Sequence, residues 1–184
     1  MAINIRRVLL IYAIELALLT IVSIIGFYAG PYFVSESLIK LLQGRLTSTL
    51  KYGPMGIFLH NLMINTLMTI PIIGPFFFVF SLASTGFVLG TFVAYDINSI
   101  LGLVMALLIT MFFPHGIIEL MAYAFSTTGS ITLTEGIFRR RVSRGDVVTW
   151  MIYYAISVVL LFIAANVEYF EIVALRGLIR SLLT

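Results

Sequence analysis

Cysteine is absent from the 184 residues, which excludes disulfides, thiolate metal sites and cysteine nucleophiles. Charge is scarce: Asp, Glu, Lys and Arg make up only 10% of the chain, against about 25% in a soluble domain. There is no Walker loop, no dinucleotide fingerprint and no His-Glu-x-x-His helix. No soluble module with a basic face is present either, which removes nucleic acid as a partner. The net charge of +3 is what excess Lys and Arg in cytoplasmic loops leave behind.

Hydrocarbon fills the space that charge vacates. The chain is 61% hydrophobic, with a mean hydropathy of +1.12. Its apolar runs approach or reach the roughly 20 residues of a membrane-spanning helix. They are continuous rather than alternating, which argues against a transmembrane β-barrel. The expected fold is all-α: one integral membrane domain over residues 1–184, a polytopic bundle of about five to six hydrophobic segments. The bilayer of the cell membrane is its first partner, crossed several times.

Punctuation along the chain marks the segments. A first span is expected from Val8 to Phe27, retained rather than cleaved, and ended by Gly30-Pro31 because proline disfavours helix in the residue before it. From Ser35 to Tyr52, Leu38, Ile39, Leu42, Leu46 and Leu50 recur at helical spacing among Glu36, Lys40, Gln43, Arg45 and Lys51. That pattern predicts an amphipathic helix lying in the interface or over the bundle, with Ser35 as N-cap. Pro71, Gly74 and Pro75 divide the next apolar run into spans at 57–73 and 76–95. In the latter, Gly86, Gly90 and Ala94 form a small-residue ridge suited to close helix packing.

The stretch 99–128 carries Phe-Phe-Pro-His-Gly-Ile-Ile-Glu at 112–119. Pro114 suits a first helical turn and Gly116 a close backbone approach, so a helix is expected to begin there after a break. His115 and Glu119 then share one face. Arg6-Arg7 and the arginines at 139–144 both favour the cytoplasmic side. That requires one net crossing over 99–128, hence a broken or re-entrant helix. A polar stretch at 127–146 and a last span from Val147 to Val167 complete the chain.

Polar groups at membrane depth normally face the bundle interior or a cavity. The candidates are Glu15, His60, Asn61, Asn65, His115 and Glu119. One reading is a structural network, with His115 and Glu119 bonded to the Asn61/Asn65 face. A second is a water-lined site for protons or a small ligand. A third is a metal site built on His115, Glu119 and His60, whose ligand types are adequate and whose spacing is only suggestive; whether a metal binds stays open. Nothing in the sequence calls for a cofactor.

Three motifs, taken in order, resemble the stage II sporulation protein M family of integral membrane proteins. Pro114-His115-Gly116-Ile117-Ile118-Glu119-Leu120 is similar to its most characteristic motif, and Ala164-Ala165-Asn166-Val167-Glu168-Tyr169-Phe170 to its closing Ala-x-x-Ile-Glu-x-Phe. Phe58-Leu59-His60-Asn61 is a weaker match, with His60 in place of an asparagine, and the family's Asn-Gly is not evident around Tyr95-Asp96. In spore-forming bacteria the namesake is a membrane component of a peptidoglycan-remodelling complex and localises partner hydrolases. The resemblance implies a non-enzymatic scaffold or recruiter of membrane or envelope proteins, with a homo-oligomer as a further expectation. The alternatives are a small transporter or channel component with a site at His115/Glu119 and, behind it, an intramembrane metal-dependent enzyme.

Overall fold

The computed structural model describes residues 3–50 and 52–182, with the side chains of 43, 45–50 and 176–182 outside the description. Seven helices and no strand occur among the described residues: α1 (Ile5–Phe33), α2 (Glu36–Leu50), α3 (Gly53–Thr69), α4 (Gly74–Asp96), α5 (Ile100–Phe112), α6 (Pro114–Phe138) and α7 (Arg144–Leu182). Among them α1, α4 and α7 are long and apolar enough to cross a membrane. The bent pair α5 and α6 would make a fourth crossing, and α3, at 17 residues, is shorter. The outward faces are apolar, as Leu9, Leu10, Ile21, Ile24, Val159 and Phe162 illustrate. Several inward positions are polar or small, among them Glu15, Ser23, Asn65, Thr91, Thr127 and Ser157. That inversion suits lipid outside and hydrogen-bonded or closely packed groups inside.

The α1–α4 seam is the closest contact. A Cβ at Gly26 would fall on the Phe87 carbonyl, one at Gly30 on the Thr91 side chain, and one at Gly90 on the Ser23 carbonyl. The expected ridge on α4 therefore does pack, Gly86 also lying against Leu19 and Ser23. Ala94 joins the small cluster of Phe27, Val93 and Leu103. Its counterpart on α1, Gly26 and Gly30 at four-residue spacing, went unread in the sequence.

Contacts fix the relative directions. α3 and α6 run parallel, with Ser126 donating to the Asn65 carbonyl and Ser130 to that of Ile70. α7 runs against both: Ser157 meets Asn65, Trp150 donates to the Thr69 carbonyl, and Glu171 reaches His115. Arg7 pairs with Glu135. One end of the bundle thus carries Arg7, Thr69, Glu135 and Trp150, and the opposite end carries Glu171 beside the start of α6. Residues 100–138 pass once from the latter end to the former, with a bend of 63° between α5 and α6. Arg7 and the start of α7 at Arg144 share an end, which is the arrangement the arginine clusters require.

Several boundaries differ from the sequence reading. α1 does not stop at Gly30-Pro31 but continues to Phe33. Proline so near a C-terminus removes one bond of the last turn, and Tyr95 Oη donates to the carbonyls of Pro31 and Val34. α6 runs through the polar stretch to Phe138, with Ser126, Thr127, Thr128 and Ser130 buried. Threonines along it bond carbonyls four residues back, Thr132 to Thr128 and Thr134 to Ser130. Such polarity is compatible with a buried helix. α7 passes Val167, carries Glu168 and Glu171 beyond it and continues to Leu182. In α2, Ser35 Oγ accepts from the Leu38 N–H, the expected cap, and Ile39 is buried. Gln43, Arg45, Leu46, Leu50 and Lys51 of its pattern lie outside the described side chains.

Candidate functional site

The break between α5 and α6 builds the site. Phe113 takes an extended conformation (φ −65°, ψ 153°), as a residue before proline does. Pro114 occupies the first turn of α6, where its missing N–H is no loss. Gly116 is buried, and a Cβ there would fall on the Thr110 carbonyl. Only glycine lets the end of α5 fold back over the start of α6.

From that start His115 and Glu119 project one turn apart, to different partners. His115 Nδ1 lies 2.5 Å from Glu171 Oε2 of α7, both side chains mostly buried. The carboxylate beside the first turn of α6 also suits the positive end of that helix. Glu119 Oε1 accepts from Tyr123 Oη at 2.8 Å, and the Asn61 amide of α3 reaches the same carboxylate. Glu168 on α7 lies within electrostatic reach of Glu119, His115 and Glu171.

Glu15 of α1 is fully buried, and neither of its carboxylate oxygens has a hydrogen-bond partner. Glu119, Tyr12 and Tyr123 lie within electrostatic range of it. A buried charge without a partner is costly, so this pair of carboxylates requires a counter-charge.

The expected network is therefore assembled only in part. Glu119 does meet Asn61. His115 turns to Glu171 instead of the asparagine face, and Asn65 donates to Ser157 Oγ at 2.8 Å. His60 is exposed on the outer side of α3, because one residue is about 100° around a helix from Asn61. It joins neither the network nor a ligand set. No three His, Asp or Glu side chains are grouped to hold a metal among the described residues, so the proposed combination of His115, Glu119 and His60 is not assembled. Glu168 and Glu171 are not among the polar candidates that the sequence offers. The one available signal was their spacing of three on a helical face.

An all-helical membrane protein with a broken helix and a buried acid-and-histidine cluster is the class these features define. The chain matches the family model described as Stage II sporulation protein M over residues 14–170. It belongs to the Stage II sporulation protein M family, and Glu15, Glu119 and Glu168 all lie inside the matched region. No curated protein and no solved structure matches the chain.

Proposed function

We propose that the chain is a non-enzymatic, multipass protein of the cell membrane that scaffolds or recruits cell-envelope partners. What supports this reading most is the use made of its interior polar groups. Asn65 to Ser157, Trp150 to Thr69, Ser126 to Asn65 and Ser130 to Ile70 all join one helix to another. Each such bond is modest, averaging about 0.6 kcal/mol in one membrane protein, and together they suit a frame that holds its shape while others dock. Family membership points the same way, the namesake being a membrane component that localises hydrolases.

The test is co-purification of the full-length chain from its own membranes. A defined soluble hydrolase or ATPase, retained in stoichiometric amount by the parent and by Glu119→Gln alike, supports a scaffold. A second reading, a small transporter or channel component, is favoured by the unpartnered Glu15 carboxylate within electrostatic range of Glu119. Broken helices place coupling sites in many transporters. A pH-dependent flux in liposomes, abolished in a folded Glu119→Gln protein, would establish that reading and displace the first.

A further inference from the structure

We propose that Glu15 and Glu119 form a proton-binding carboxyl pair inside the bundle, joined to the C-terminal half of α7 through Glu168, His115 and Glu171. The inference holds whether the chain is a scaffold or a transporter component, because it concerns what neutralises the pair.

The geometry leaves few alternatives. Glu15 has no exposed surface and no donor on either oxygen, although α1 could have placed leucine there, as it does at Leu16 and Leu19. The titratable groups in range of the pair are Tyr12 on α1, His115 and Tyr123 on α6, and Glu168 on α7. Asn61 is the polar group that α3 presents, with His60 turned outward. No Lys or Arg is among them. Arg7 on the same helix is engaged by Glu135 and Thr132 at the far end of α6. With no fixed cation at hand among the described residues, a proton is the smallest counter-charge that fits a packed interior. Two carboxyl groups within electrostatic reach of each other in a packed interior cannot both ionise readily.

An exit for that proton is also present. Glu119 is partly exposed where Glu15 is not. Glu168 lies within reach of both Glu119 and the His115–Glu171 pair, and the Glu171 side chain is partly exposed. Carboxyl and imidazole groups in such a series can pass a proton stepwise, each accepting on one atom and releasing from another.

The test uses the full chain in liposomes and a hydrophobic carbodiimide, which attacks protonated carboxylic acids in apolar surroundings. Modification at Glu119 or Glu15, mapped by peptide mass, is expected at neutral pH and should decline as pH rises. Excess sodium or lithium should not change it. In Glu15→Gln, the pH at which Glu119 labelling halves should move. Labelling absent from mildly acid to mildly alkaline pH overturns the proposal, as does an unmoved midpoint. Protection by sodium or lithium assigns the site to a metal ion and overturns it equally. If Glu15→Gln fails to fold, infrared difference spectra of the parent decide. A protonated-carboxyl stretch at neutral pH that is lost on alkalinisation supports the pair, and its absence sinks it.

Discussion

Helix α1 is buried along two seams that solve the same problem by opposite means. Toward its C-terminal half it meets α4 through Ser23, Gly26 and Gly30 against Gly86, Gly90 and Thr91, backbone on backbone. Toward its N-terminal half it meets α6, where Arg7 pairs with Glu135 and Glu15 lies within electrostatic range of Glu119. The first seam is specified by the absence of side chains. The second is specified by side chains that cost free energy to bury. Cohesion without charge is what a membrane helix pair ordinarily uses, so the α1–α4 seam accounts for stability. The α1–α6 seam then asks for another explanation, and function is the default one for ionisable groups at that depth.

The largest effect should come from the first seam. Gly90→Leu drives a side chain into the Ser23 carbonyl and is expected to cost about 3 kcal/mol or more, read as lost thermal stability in detergent. A tolerated leucine would mean that α1 and α4 do not approach as described. His115→Ala should come next, at about 1.5–3 kcal/mol, since it strips Glu171 of its partner and frees the start of α6. Glu15→Met separates the seams most sharply. Removing an unpartnered buried carboxylate should leave stability unchanged or raise it by about 1 kcal/mol, while the carbodiimide midpoint at Glu119 shifts. A clear loss of stability would make Glu15 a structural bond instead. Arg7→Ala should be the smallest, under about 1 kcal/mol, because both partners are partly exposed and water screens the pair.

What the sequence disclosed follows a physical division. Breaks written locally were legible: Pro71-Gly74-Pro75 separates α3 from α4, and Pro114 with Gly116 opens α6, because proline and glycine act on their own neighbours. Pro31 misled because its effect depends on what surrounds the last turn, and Tyr95 comes from another helix. The hydroxyl-rich end of α6 reads only as a polar stretch, because composition does not reveal that Thr132 and Thr134 bond carbonyls four residues back and that Ser126 and Ser130 bond the carbonyls of Asn65 and Ile70. His60, a candidate by its depth in the sequence, lies outside the cluster because its neighbour Asn61 is about 100° away around the helix. The Asn61 partner of Glu119 was legible, whereas Glu171 beside His115 and Glu15 near Glu119 were not, since each lies more than fifty residues away in the chain and only packing brings them near.

The account rests on one geometric claim: that α5 and α6 together make a single net passage, so that both arginine clusters lie on one side. A chain without cysteine makes the measurement direct. Single cysteines at Asn4, Asn98 and Arg140 are to be labelled in intact cells with an impermeant thiol reagent, then again after permeabilisation. The account predicts that positions 4 and 140 are protected together until permeabilisation, and that position 98 is labelled from outside. Position 140 labelled in intact cells while position 4 stays protected would contradict it.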